Sequence, residues 1–453
     1  MPTSRLHRRT AVPASSDELF SWHARPGAFE RLSPPWERVR VVERMGTIHD
    51  GDTIDLEVRL GPVPLRWRAR HEAYREGKQF CDVQDGGPFK LWRHVHSTSP
   101  VDGGNSILDD DVTYQLPASP VSDWIAGGFV AAKFDRMFTY RHRTTREDLR
   151  IHARYGDRSR LTVAITGSSG LIGRALSSFL SAGGHRLERI LREGSDTPSW
   201  SIPEVPVDAV VHLAGESVDG RWTDAKRRRI RDSRVEGTKR LVDAILERDE
   251  RPGCVVCASA IGFYGDRGTD MLGESSDAGT GFLSDVCQDW ESETRPLSDA
   301  GIRVVQARFG VILSGFGGAL PRMLPPFRSG LGGRLGSGAQ YVSWVSLDDA
   351  VGAIHHALME DHAGPMNVVA PFAVTNQELT WTLGRILGRP TPFPVPSAVA
   401  RLAFGEMADA MLLSSTRCVP DRLASSGYDF RYPDLEDCLR FQLGRMPLSE
   451  EAR

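Results

Sequence analysis

The sequence predicts an α/β protein whose main domain is a parallel sheet covered by helices on both faces, with a small C-terminal module behind it and an α+β domain in front. Three observations predict this. From Leu161 onward short β-branched runs alternate with helical stretches, and the first run, Leu161-Thr-Val-Ala-Ile-Thr166, leads straight into glycines. Before about residue 150, strand-like segments follow one another closely and end in one long helical stretch. The chain has 453 residues, beyond the ~250–300 at which a single core stops growing, so at least two domains are expected.

In the second half, the strand ending at Thr166, the helical stretch Leu171 to Ala182, the Gly183-Gly184 stop and a second run Arg186 to Leu191 make a βαβ unit. Further strands are expected at Val207 to Leu213, Gly253 to Ser259 and Arg303 to Phe309, with helices over Thr223 to Glu247 and Phe282 to Ala300. Apolar strands that alternate with helices belong in a sheet buried on both sides. The distance from Arg192 to Val207 is too short for another full repeat, so the third strand is expected as a stub around Trp200.

In the first half, short helices are expected at Ser15 to Trp22 and Pro26 to Leu32. Antiparallel strands are expected at Thr53 to Leu60, Leu65 to Tyr74, Leu91 to Ser97 and Ile107 to Gln115, and one long helix over Val121 to Arg146. This order, with the phrase Phe29-Glu-Arg-Leu-Ser-Pro-Pro-Trp36, resembles the helix-grip fold of START-like proteins, the polyketide cyclase and lipid-transfer superfamily. The resemblance implies a curved sheet wrapped around a long helix and an apolar cavity. The expected division is therefore a ligand-binding domain over 1–150, a polar linker at 151–160, a Rossmann-type parallel-sheet domain over 161–374 and a helical module over 375–453.

A hydrophobic content of 40%, a charged content of 25% and a net charge of −3 describe an ordinary globular protein and give no reason to expect nucleic acid as a partner. The basic run Lys226-Arg-Arg-Arg-Ile-Arg231 spreads around a helix and reads as a solvated face, though one or two members could reach a cofactor phosphate. No stretch approaches the ~18 apolar residues of a membrane span, and Met1 to Ser16 has no apolar signal core, so a cytoplasmic location is expected. Six cysteines are too sparse for a disulfide framework, and Cys254 and Cys257 read as core residues. His94 and His96 alternate on one strand with no third ligand nearby, so no metal site is expected.

The chemistry centres on Thr166-Gly167-Ser168-Ser169-Gly170-Leu171-Ile172-Gly173. A dinucleotide pyrophosphate must approach backbone N–H groups at a helix N-terminus, and side chains would block it. Gly167 supplies a turn with positive φ, Gly170 a close approach of phosphate, and Gly173 tight packing of helix on strand. The spacing resembles the short-chain dehydrogenase/reductase superfamily, in its extended, sugar-epimerase-like branch. His212-Leu213-Ala214-Gly215, Arg234-Val-Glu-Gly-Thr238 and Ser259-Ala-Ile-Gly-Phe-Tyr264-Gly265 carry the resemblance further. It implies that Leu213, Ala214 and Gly215 flank the cofactor. Arg192, at the end of the second strand, would pair with the 2′-phosphate of NADP, whereas a carboxylate there would bind the ribose of NAD; the arginine favours NADP, although Glu193 beside it keeps a solvated loop arginine open.

The superfamily's acid/base is a tyrosine with a lysine four residues on. That pair is absent here, because Lys239 is the last lysine of the chain. The helix expected to carry it has Phe282 and Val286 at that spacing. This departure, with Trp290-Glu291, Gly332-Gly-Arg-Leu-Gly336, Asn367-Val-Val-Ala-Pro371 and the tail from about Thr375, resembles an atypical epimerase-like subgroup that keeps the cofactor fold without the usual active-site residues. Ser259, as a donor to substrate, and Tyr264, as a proton donor, are the candidate catalytic residues; the register leaves Ala260 in the polarising position as an alternative to Ser259. Glu216 and Asp266 lie near the expected mouth, and His212 reads as a core histidine. Two functions follow: an NADP-dependent oxidoreductase or epimerase acting on an unidentified carbonyl or carbinol substrate, for which the START-like domain would supply an apolar cavity, or a non-catalytic sensor of NADPH or of a lipid-like ligand.

Overall fold

The computed structural model describes residues 3–37, 39–60, 63–119, 121–194 and 199–447. They form two compact units: one contains 1–159, 178–184 and 441–453, the other 160–177 and 185–440. Each is described in turn.

The first unit contains β1 (Ser4–Val12), α1 (Ser16–Ala24), α2 (Ala28–Arg31), β2 (Val39–Met45), β3 (Thr53–Leu60), β4 (Val63–Arg75), β5 (Gln79–Gly86), β6 (Leu91–Val101), β7 (Asn105–Gln115) and α3 (Val121–Ala153). Its seven strands pair antiparallel in the order β1-β7-β6-β5-β4-β3-β2. Strand β7 alternates buried and half-exposed residues, and Val112 and Tyr114 pack with Trp92, Phe134 and Phe138 beneath α3. The sheet and α3 enclose an apolar cavity of about 570 Å³ whose walls include Leu56, Trp67, Trp92, Val130, Phe134 and Met137. Three strands have no named segment in the sequence reading, β1, β2 and β5, and α3 continues to Ala153, through residues expected to begin the linker.

The second unit contains β8 (Thr162–Thr166), residues 171–177 of α4 (Leu171–Ala182), β9 (Arg186–Arg189), β10 (Leu191–Glu193), β11 (Ser199–Ser201), β12 (Ala209–His212), α5 (Asp224–Leu246), β13 (Cys254–Ala260), β14 (Met271–Leu272), α6 (Phe282–Ser292), α7 (Arg295–Asp299), β15 (Arg303–Phe309), β16 (Val311–Leu313), α8 (Ala319–Arg328), β17 (Tyr341–Val342), β18 (Trp344–Ser346), α9 (Leu347–Met359) and β19 (Gly364–Val368). Six strands make one parallel sheet in the order β19-β15-β13-β12-β8-β9. Ala164, Val210, Val255 and Val304 pack with Leu241, Val242, Ile245 and Leu297 in its core. The chain goes from β8 to one side and returns to β12 on the other, which opens a crevice at the carboxyl ends of these two strands, the place where open α/β sheets bind ligands.

Three local expectations are adjusted. The run Arg186 to Leu191 divides into β9 and β10, and the stub around Trp200 is β11, which pairs with β10 outside the main sheet. The helix expected over Phe282 to Ala300 breaks into α6 and α7, with Pro296 in the first turn of the latter, where its missing N–H costs nothing. All six cysteines are free and buried. No helix among the described residues is long and apolar enough to cross a membrane.

Candidate dinucleotide site

The glycine turn lies at the crevice between β8 and β12. Gly167 has φ +67°, and a Cβ there would stand 2.8 Å from the Ala214 nitrogen, so both conformation and space require glycine. A Cβ at Gly173 would lie 2.2 Å from the Gly167 carbonyl oxygen, inside the turn itself. At Gly170 the contact is looser: the Gly167 oxygen would be 3.2 Å away and nothing else near, because Ser169 and Gly170 face outward. Two glycines thus serve the fold of the turn and the third leaves its outer surface bare. Leu171, Ile172 and Gly173 open α4, whose first N–H groups have no acceptor within the helix and whose dipole favours an anion.

The flanking segment is held to this turn by hydrogen bonds. Thr166 Oγ1 accepts from the backbone N–H groups of Leu213 at 3.1 Å and Ala214 at 3.3 Å, and lies 2.7 Å from His212 Nδ1. His212 Nε2 lies 3.0 Å from Thr238 Oγ1, which also accepts from Trp290 Nε1 at 2.8 Å. Burial lowers the pKa of His212 to about 4, so it is a neutral bridge within the core. Beyond Gly215 the loop is anchored by Arg234, which donates to the Glu216 carbonyl at 3.0 Å. Ser168, Ser169 and Gly170 are thereby left as the outward rim of the turn. Arg192 is exposed on β10, opposite Trp200.

Ser259 and Tyr264 do come together at the end of β13, but neither faces open space. Ser259 is 3% exposed and donates to Glu291 Oε1 at 2.6 Å. Arg308 grips both oxygens of Glu291, at 2.8 and 2.7 Å, and donates to the Tyr264 hydroxyl at 2.9 Å. That hydroxyl in turn donates to Asn367 Oδ1 at 2.7 Å, and the Asn367 amide donates to the carbonyls of Val419 and Leu272. Tyr264 is fully buried, and burial pushes its pKa up to about 12 against the opposing pull of Arg308. Ser259 and Tyr264, expected to face substrate, place both hydroxyls in a buried network with Glu291, Arg308 and Asn367.

The stretch 163–369 matches the family described as NAD dependent epimerase/dehydratase. An epimerase family protein of Mycobacterium bovis is 43% identical over 297 residues, which cover 62% of this chain and 98% of that protein. The chain belongs to the epimerase family. The human epimerase family protein SDR39U1 is 36% identical over 292 residues, 62% of this chain and 99% of its own length. A crystal structure of that human protein (isoform 2) with NADPH superposes with a TM-score of 0.59 at 33% identity, covering 63% of this chain and 100% of that one. The crystal structure of a nucleoside-diphosphate sugar epimerase from Corynebacterium glutamicum is 34% identical, with a TM-score of 0.79 over 99% of this chain and 92% of that one. Residues 12–139 match the polyketide cyclase/dehydrase and lipid transport family, and 395–442 match a domain of unknown function, DUF1731. The START-like first unit and the parallel-sheet second unit therefore stand as the sequence resemblance implied.

In this epimerase-family chain the other charged residues near the crevice are also engaged. Lys226 pairs with Glu216 at 2.7 Å, Arg227 with Glu406 at 2.7 Å and Arg231 with Asp289 at 2.8 Å, which turns most of the basic run into intramolecular ion pairs. Asp266 accepts from the backbone of Gly268 and Ser415, an ordinary loop brace. The residues that sequence reasoning missed are Arg308 as the hub and Asn367 as the acceptor of the Tyr264 hydroxyl. A guanidinium inside the apolar run Arg303-Val-Val-Gln-Ala-Arg-Phe309 was the available signal, since a charge buried in a strand needs a partner.

Proposed function

We propose that the second unit binds NADP(H) and uses it for hydride transfer at a carbonyl or carbinol carbon of a small molecule. The observation that carries this is the turn Thr166–Gly173, whose outer surface is free of side-chain bulk at Gly170 and which opens a helix at the crevice between β8 and β12. When bound, the cofactor supplies the hydride. This chain's residues would hold it: backbone N–H groups of the turn on the pyrophosphate, Leu213 to Gly215 along its flank, and Arg192 on the 2′-phosphate. Because Arg192 is exposed and charged, Arg192→Ala should weaken NADPH binding about tenfold, on the order of one charge-assisted hydrogen bond, and leave NADH binding unchanged. Fluorescence titration with both nucleotides checks this, and equal loss for the two would remove NADP selectivity from Arg192.

A second reading is favoured by the buried Ser259-Glu291-Arg308-Tyr264-Asn367 network, which leaves neither candidate hydroxyl to act on a substrate. On that reading the chain is a sensor that binds NADPH or a lipid-like ligand without turnover. The discriminating measurement is NADPH oxidation over a panel of carbonyl compounds; the apolar cavity of the first unit motivates including apolar ones. Steady consumption that G170D abolishes supports the oxidoreductase. Tight NADPH binding with no consumption across the panel supports the sensor.

A further inference from the structure

The floor of the cavity in the first unit is unlike its walls. His71 on β4, Asp82 on β5, His94 and His96 on β6 and Asp110 on β7 form a polar strip across four adjacent strands, and the first four of these line the cavity. His94 and His96 lie two residues apart on one strand and so share a face, and Asp82 is directly opposite His94 in the register. A carboxylate that the sequence reading did not place beside these rings is therefore on the neighbouring strand.

Asp82 Oδ2 lies 3.5 Å from His94 Nδ1 and 3.4 Å from His96 Nε2. These separations match the edge of a tetrahedron around an ion with bonds of about 2.0–2.1 Å, which is roughly 3.4 Å. The opposite nitrogens of both rings face a second carboxylate: Asp110 Oδ1 is 3.4 Å from His94 Nε2 and 2.7 Å from His96 Nδ1. Each imidazole thus stands between two carboxylates, the arrangement in which one ring nitrogen binds a metal and the other N–H is oriented by an outer carboxylate. His142 Nε2 lies 2.9 Å from Asp110 Oδ2, and Thr10 is 2.8 Å from the other ring nitrogen of His142. His71 Nε2 approaches Asp82 Oδ1 at 3.1 Å. Four buried atoms of the strip, Asp82 Oδ1, His94 Nε2, His96 Nδ1 and Asp110 Oδ1, have no aligned hydrogen-bond partner among the described residues, although their neighbours are near.

The geometry points to a divalent transition-metal site, with Asp82, His94 and His96 as ligands, Asp110 and His142 behind them, and an open position facing the cavity. Two imidazoles and one carboxylate suit zinc or iron(II) better than magnesium or calcium, which require more oxygen ligands. The open position would accept an oxygen, such as a ligand carbonyl, and the Phe80, Trp67 and Leu56 walls would take that ligand's apolar body.

The test uses the full chain, stripped with chelator and titrated with zinc and with cobalt(II). One zinc per chain should be retained after gel filtration, and cobalt should give visible bands without the intense near-ultraviolet absorption of thiolate ligation. Asp82→Asn and His96→Ala should each weaken zinc binding at least 100-fold, and His142→Asn about 10-fold, the usual range for an outer-shell partner. Far-UV circular dichroism establishes that each variant is folded; if His96→Ala does not fold, the near-isosteric Asp82→Asn decides. Failure of the wild-type chain to retain zinc or cobalt, undiminished retention by folded Asp82→Asn, or a thiolate spectrum would each overturn the assignment, and the strip would then be a self-compensating cluster of imidazolium and carboxylates.

Discussion

A methyl group at Gly173 would stand 2.2 Å from the Gly167 carbonyl oxygen, whereas at Gly170 the corresponding distance is 3.2 Å with open space beyond. The two positions should therefore fail differently. Gly173→Ala forces the turn apart and is expected to cost about 1–3 kcal/mol of stability together with nucleotide affinity. Gly170→Asp should abolish NADPH binding while the melting temperature stays within a degree or two, because its side chain meets the nucleotide and not the protein. Thermal melts beside NADPH titrations of the two variants check the contrast. At His212 the residue-scale prediction is one of pH. Its pKa of about 4 in the fold lies below the ordinary ~6.5, so the unfolded chain binds the extra proton. The stabilising contribution is complete above pH ~6.5 and is lost as pH falls toward 4, on the order of 3 kcal/mol in all. His212→Asn should flatten that stretch of the pH–stability profile, measured by denaturant unfolding; an unchanged slope would show that another group governs it.

At the scale of elements, two polar networks clamp the second unit. Thr166, His212, Thr238 and Trp290 link β8, β12, α5 and α6; Ser259, Glu291, Arg308 and Asn367 link β13, α6, β15 and β19. The second is ionic, and its guanidinium is 4% exposed. Breaking such a pair from one side leaves the other charge buried, so Arg308→Met is expected to cost about 3–5 kcal/mol, whereas Arg308→Met with Glu291→Leu should recover much of that loss. Chemical denaturation of the single and double variants measures the recovery, and its absence would mean that Tyr264 and Ser259 depend on Arg308 more than Glu291 does. The elements least legible from sequence have a related explanation. Strand β5, Gln79-Phe-Cys-Asp-Val-Gln-Asp-Gly86, breaks the apolar alternation because its inward position 82 carries an aspartate for the polar floor. Strand β15, by contrast, was legible to the residue, since Val304, Val305, Ala307 and Phe309 keep the run apolar despite Arg303, Gln306 and Arg308.

For the whole molecule, NADPH at a hundred times its dissociation constant should add about 2.7 kcal/mol to the unfolding free energy of the unit that binds it. Hydrogen exchange should show the protection centred on residues 166–174 and 212–216. Protection confined elsewhere would displace the proposed site. The two architectures, the glycine turn between β8 and α4 and the lack of a tyrosine–lysine pair were legible in the sequence, because these rest on periodicity, on glycines required by local backbone geometry, and on counting lysines. Only the tertiary structure decided that Ser259 and Tyr264 turn inward onto Glu291, Arg308 and Asn367, and that Asp82 joins His94 and His96. Both depend on side chains brought together from different strands and helices. Local pattern reports which face a residue takes on its own element, but the partner across a sheet is set by register and packing, which no window of sequence contains.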